Sequence, residues 1–183
     1  MTIKTHNGFT LIELVVVIIL LGILAITALP QFINLSSDTN RSVIKSLAAS
    51  MKATAQLQHQ IAQVNSGNGG LTNGFVHNDV TFDKGYPIGV SHDPVTQTPQ
   101  PQNDIPEILE AMNIDLSSYT YSIIFNGTGS SGGLTRDLYM STLNVIANGA
   151  TAQQIMATNC YVSYQSYVIE VRPPEIAAII TSC

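Results

Sequence analysis

The chain has 183 residues, and only 10% of them are charged, against about 25% in an ordinary soluble domain. Seven Lys and Arg against twelve Asp and Glu leave a net charge of −5, without the basic footprint that nucleic-acid binding requires. Polarity is carried instead by Ser, Thr, Asn, Gln and Gly, which suits a surface that packs against copies of itself without repulsion.

Met1 to Gly8 is a short polar leader with one base, Lys4, and His6. Behind it, Leu14 to Leu29 is uncharged and interrupted only by Gly22 and Thr27. Counted from Phe9, the apolar stretch is about twenty residues, which matches a ~30 Å bilayer core. Glu13 lies inside that stretch. An unpaired carboxylate there costs about 2.5–3.5 kcal/mol, so it demands a partner. No base follows it before Arg41. A conventional secretory signal places its apolar core before the cleavage site, whereas here the core follows Gly8. Cleavage after Gly8 would keep the apolar helix and give Phe9 a free amine. That amine and the Glu13 carboxylate could meet within one helix only with distortion. Between two neighbouring subunits they could pair and cancel both charges.

Gly8-Phe9-Thr10-Leu11-Ile12-Glu13 and its flanks as far as Pro30 resemble the prepilin signature of type IV pilins and type II secretion pseudopilins. The resemblance implies that residues 1–8 are a leader removed by prepilin peptidase, which also N-methylates Phe9. It implies that residues 9–30 form a transmembrane and filament-core helix, and that Glu13 pairs with the Phe9 amine of a neighbour during assembly. It implies an α+β type IV pilin fold. In that fold a long N-terminal helix, half hydrophobic and half amphipathic, packs on a small antiparallel head with a C-terminal disulfide loop. Pro30 predicts a kink near residues 26–30, and Gly22 costs about 1 kcal/mol of helix propensity. Pilins carry a glycine and a proline at these places, which implies that the helix loosens between them in the filament. Simple curvature is the alternative.

From 31 to 64 the pattern stays helical. Val43, Ile44, Leu47, Ala48, Met51, Ala55, Ile61 and Ala62 form one stripe at 3.6-residue spacing, expected to cover the sheet of the head. Arg41, Lys45 and Lys52 share a neighbouring face, to be read as a solvated face or as a contact with acids of another subunit. Leu57 and Val64 lie off the core stripe. A straight helix from Phe9 to Val64 would be about 84 Å long.

The head occupies residues 65–183, about 120 residues with the spine's buried face to complete a core. Asn65 to Gly70 ends the helix with glycines. Residues 65–103 read as a long variable surface loop centred on Gly85-Tyr86-Pro87-Ile88-Gly89, followed by a Thr/Pro/Gln stretch. His77, Asp79, Asp83, His92 and Asp93 in this loop match no metal template, so no metal or cofactor is assigned. Asp104 to Asn113 reads as a short helix, with Asp104 as cap, Pro106 in its first turn and Glu107 and Glu110 on its N-terminal dipole. Residues 118–147 read as an antiparallel hairpin: Ser118 to Phe125, a Gly/Ser turn, and a return strand Leu138 to Ala147. The turn lacks the Lys-Ser/Thr of a phosphate loop. Thr151 to Thr158 reads as one or two helical turns, Tyr161 to Val171 as a strand, and Glu175 to Thr181 as a last strand.

Cys160 and Cys183 are the two cysteines, and a membrane-targeted chain facing an oxidising compartment would pair them. A C-terminal disulfide loop over 160–183 is a feature of type IV pilins that most pseudopilins lack. Gly85 to Gly89, Asn159-Cys160-Tyr161-Val162-Ser163 and the terminal Cys183 are similar to the mannose-sensitive haemagglutinin (MSHA) pilin group of marine gamma-proteobacteria. That resemblance implies a precursor in the inner membrane with a periplasmic head, handed to the pilus assembly machinery. It then implies self-polymerisation into an extracellular filament that adheres to surfaces or host glycans, mannose among them. Tyr86, Tyr119 and Tyr161 are aromatic candidates for a sugar, with core packing the competing role. No nucleophile–base spacing, P-loop, His-Glu-x-x-His or Cys-x-x-Cys is present, so the chain reads as structural and not as an enzyme. The rival readings are a type II secretion pseudopilin and a membrane-anchored periplasmic binding protein.

Overall fold

The computed structural model describes residues 10–66, 75–90, 105–126 and 135–183. Gly8 and Phe9, the Thr/Pro/Gln stretch with His92 and Asp93, Asp104, and the Gly/Ser turn of the hairpin lie outside them. So do the side chains of residues 27–35, Pro30 included. Helix α1 is Leu11–Ser66, and the helical backbone runs through both Gly22 and Pro30. The chain divides into two compact units, 1–39 and 40–183.

In the second unit the amphipathic stripe takes the place its spacing assigns. Ile44, Leu47, Met51 and Ala55 are buried in one core with Ile108, Leu109, Leu138, Met140, Val162 and Tyr164. Arg41, Lys45 and Lys52 are exposed, as are Leu57 and Val64. The head is an antiparallel sheet of β4 (Tyr119–Asn126), β5 (Thr135–Thr142), β6 (Tyr161–Tyr167) and β7 (Glu175–Ile179), in that order. Leu138 sits opposite Tyr164 and Ile123, and Met140 opposite Val162 and Tyr121, so one face of the sheet meets the spine. The fold is thus α+β, with a long N-terminal helix, an antiparallel head and a C-terminal disulfide.

Several strand boundaries differ from the expectation, and β7 ends at Ile179 rather than Thr181. The return strand begins at Thr135 and ends at Thr142 rather than running from Leu138 to Ala147, and β6 stops at Tyr167 rather than Val171. Arg136 and Asp137 look like loop residues, but the burial of Arg136 is made tolerable by a partner distant in sequence. Arg136 Nη1 lies 2.5 Å from the Asp83 carboxylate, and both groups are shielded from water. Residues 143–150 then form turns that lead to α3 (Ala152–Ala157). Thr151 and Gln154 close a capping box at its start: Thr151 Oγ1 accepts from Gln154 N–H, and Gln154 Oε1 accepts from Thr151 N–H at 2.9 Å.

The largest correction concerns 65–103. The described part is no irregular loop. It is a three-stranded antiparallel sheet, β1 (Phe75–His77), β2 (Val80–Asp83) and β3 (Tyr86–Pro87). Two-residue turns join the strands, Asn78-Asp79 and Lys84-Gly85, and all four turn residues have positive φ. That is the geometry that matches strand twist in tight hairpins. Val80, Phe82, Ile88 and Val90 are buried. The short helix α2 is Glu107–Met112, and its N-cap position is Pro106, without a side-chain cap. Glu107 does not face solvent on the helix dipole. It is buried and accepts Thr81 N–H at 2.8 Å, tying α2 to β2.

Cys160 and Cys183 are joined, with Cα atoms 4.8 Å apart and a separation of 23 in sequence. On the chain-entropy account a loop of that size adds about 3 kcal/mol. Ser182 N–H also donates to Asn159 C=O at 3.2 Å, and Ser141 Oγ to Cys160 C=O at 2.6 Å.

Candidate assembly surface

Every large apolar side chain described between Leu11 and Ile26 is exposed, from Val15 at 36% to Leu11 at 80%. This half of α1 is apolar all round, and such a helix is normally covered on all sides. Among the described residues no helix is long and apolar enough to cross a membrane. The stretch with described side chains is shorter than the apolar run in the sequence, which continues to Leu29.

Glu13 sits in the first turn of α1, where a carboxylate suits the helix dipole. Thr10 Oγ1 donates to Glu13 Oε2 at 3.4 Å, and Glu13 N–H to Thr10 C=O at 3.1 Å. Among the described residues no cation pairs with it. Its expected partner, the amine of Phe9, lies outside those residues. Gly22 has nothing within 4 Å of where a Cβ would sit.

The head presents three further features. The first is the stretch from Tyr86 to Val90, expected as the centre of a loop and found as a clasp. Tyr164 O–H donates to Pro87 C=O at 2.6 Å. Gly89 N–H donates to Ser166 Oγ, which in turn donates to Arg136 C=O, each at 3.1 Å. Ile88 N–H donates to Thr81 C=O, while Glu107 N–H and Ile108 N–H donate to Val90 and Ile88. Tyr86 stacks on His59, with ring centroids 4.1 Å apart, and packs against the core. His59 is therefore engaged. Nδ1 donates to the Gly85 carbonyl at 2.9 Å, which leaves Nε2 to accept from Gln63 at 2.8 Å.

The second is a groove of about 440 Å³ along β4, lined by Leu116, Tyr119, Tyr121, Ser122, Ile123 and the segment 148–151. Tyr119 packs against the core cluster, so of the three aromatic candidates two, Tyr86 and Tyr119, serve packing. Tyr161 is half-buried with its ring 6.0 Å from that of Tyr139.

The third is the turn after β6. Arg172 stacks over the Tyr167 ring at 3.8 Å, donates to its hydroxyl at 2.8 Å, and pairs with both Glu170 and Glu175. Ile169 and Val171 beside it are exposed. Burial, with the Glu175 carboxylate second, pushes the Tyr167 phenol up to about 12, against the opposing pull of Arg172. Burial also pushes Tyr164 well up, with Tyr86 and Asp83 adding to it.

These shifts favour the neutral phenols in the folded chain. Their contribution is complete below the unfolded value near 10; that of Tyr167 is lost as pH rises through about 12, and that of Tyr164 is lost as pH rises through its own raised value. A spectrophotometric titration should therefore show Tyr164 and Tyr167 ionising late, together with loss of the β signal in circular dichroism. All seven tyrosines ionising together near pH 10 with the sheet intact would contradict this reading.

Comparison with known proteins bears on the same N-terminal stretch. A family model described as the prokaryotic N-terminal methylation motif matches residues 3–29. Over 47 residues the chain is 41% identical to the type IV narrow pilus major component PilA5 of Thermus thermophilus. That match covers 26% of this chain and 40% of the relative, so the chain spans less than half the length of the curated relative it matches. No solved structure matches the chain.

Proposed function

We propose that this chain is a structural subunit of a type IV pilus, processed by prepilin peptidase and polymerised through its N-terminal helix. One observation carries the reading: the methylation motif over 3–29 overlaps a helical segment whose described large apolar side chains, from Leu11 to Ile26, are all exposed. Such a surface needs lipid around it first and copies of itself later. In this reading the peptidase cuts between Gly8 and Phe9 and methylates Phe9. The precursor waits in the inner membrane with its head in the periplasm. The assembly machinery then draws it into an extracellular filament, where Glu13 sets register against the Phe9 amine of the next subunit. Gly22 and Pro30 give the helix its freedom to loosen on packing.

The finer assignment is a major pilin of the MSHA kind, adhering to surfaces or host glycans. It is supported by Gly85 to Gly89, by Asn159 to Ser163, and by the Cys160–Cys183 disulfide, which speaks against a pseudopilin. The deciding experiment is intact mass and N-terminal sequencing of protein sheared from whole cells. An N-methylated Phe9 start in sheared fibres is expected. A Met1 start with protein confined to the membrane fraction would favour the anchored binding protein instead.

A further inference from the structure

In a chain so poor in charge, the charges of the second unit are sorted by element. From Asn40 to Ser66, α1 carries Arg41, Lys45 and Lys52 and no acid. In the described residues from 75 to 183, acids outnumber bases eight to three. Two of those three bases are already engaged, Arg136 with buried Asp83 and Arg172 with Glu170 and Glu175. By contrast Arg41, Lys45 and Lys52 are exposed and make no ion pair among the described residues.

The three cations form a row. At 100° per residue they fall within about 40° of one line, over about 16 Å of helix. The row lies on the flank of the core stripe, so a partner approaching the side of the spine meets all three. A matching element projects elsewhere on the same head. In the turn after β6, Glu170 and Glu175 share the single guanidinium of Arg172, so one negative charge is left over. Their side chains are 47% and 62% exposed, and Ile169 and Val171 beside them are exposed too. Both carboxylates reach one guanidinium, so they sit close enough together to meet two successive cations of the row.

We propose that the Arg41–Lys45–Lys52 row of one copy receives the Glu170–Glu175 turn of a second copy. The inference rests on the filament reading, which supplies the second copy. The two surfaces are different patches of one molecule, so the contact is heterologous. It repeats from copy to copy without closing, which is how an open polymer grows. Salt bridges of this exposed kind set register and rate more than strength, and they fade with ionic strength.

The test uses the full chain in detergent micelles, with chemical cross-linking between copies read at about 50 mM and 500 mM salt. Wild type should cross-link at low salt and weaken at high salt. Lys45→Glu with Lys52→Glu should weaken it about tenfold at low salt. Glu170→Lys with Glu175→Lys should do the same, and combining all four should restore it. The spine pair is exposed on a helix, so that arm stands even if the turn variant folds poorly. Cross-linking indifferent to salt and to the spine reversals would overturn the contact, as would failure of a folded four-fold variant to recover. If such indifference accompanies filaments sheared from cells, the contact is wrong and the filament reading stands. If no filaments form in cells but the salt and reversal pattern holds in detergent, the contact stands and the filament reading falls.

Discussion

Gly89→Val should unfold the head at markedly lower temperature than wild type. A Cβ at Gly89 would lie 2.7 Å from the Arg136 carbonyl oxygen and 3.1 Å from Tyr164 Cδ1. Neither neighbour can yield cheaply. The carbonyl belongs to β5 and already accepts from Ser166 Oγ, and Tyr164 is fully buried with its hydroxyl tied to Pro87. Relief would require backing the 86–90 clasp away from β5 and β6. That movement strips the bonds by which Ile88 and Val90 connect to β2 and α2, and those by which Pro87 and Gly89 hold the larger sheet. Overpacking in a close-packed core costs about 1–3 kcal/mol, and here the obstruction includes main chain, so about 3 kcal/mol or more is expected. For a chain of this size that lowers the melting temperature by roughly 6–12 °C, measurable by circular dichroism in detergent. A melt within two or three degrees of wild type would mean the clasp is looser than these distances require. At Gly22 a Cβ would have nothing within 4 Å beyond the backbone of its own helix.

Glu13→Ala should leave a subunit that is inserted and processed but yields few or no filaments. In the single chain Glu13 is exposed and, among the described residues, its carboxylate is held by Thr10. Packed among apolar helices, an unpaired charge costs about 2.5–3.5 kcal/mol, and the amine of a processed Phe9 would carry a similar penalty. Pairing across two subunits removes both costs at one register and at no other. Alanine removes the acid's penalty but leaves the amine stranded, so the register loses its energetic distinction. Membrane fractionation and N-terminal sequencing would show normal handling, while the sheared fraction would be depleted. Filaments of normal yield from this variant would sink the pairing argument.

How legible these features were in sequence depended on the range of the interactions that make them. The apolar half of α1, its charged intruder Glu13 and the stripe from Ile44 to Ala62 follow from local spacing, and periodicity is a local property. The disulfide followed from there being only two cysteines. The small sheet of β1 to β3 was missed because its strands have two to four residues and no alternation: Val80, Thr81, Phe82 and Asp83 are all buried. The Thr81 N–H and the Asp83 carboxylate are met by Glu107 and Arg136 from 26 residues or more away, and no window along the chain shows that. One signal was there to be used. Asn78-Asp79 between short apolar runs suits a two-residue hairpin turn. The early start of β5 was hidden for the same reason, since Arg136 argues for solvent until its partner Asp83 is known. Of the proposed contact, the basic row was readable from helical spacing. The acidic turn became distinct only when Arg172 was seen to serve two carboxylates at once.

In the proposed filament the disulfide would also matter under tension. A stretch with a sequence separation of 23 can extend by about 75 Å once its sheet is torn open. Between Cys160 and Cys183 that slack cannot be released, because a covalent bond spans Cα atoms 4.8 Å apart. Tension carried along the chain would bypass β6 and β7 altogether. The C-terminal end of each subunit is thus a knot of fixed length, and the turn carrying Glu170 and Glu175 lies inside it. A contact made through that turn would keep its geometry under load that stretches the rest of the head.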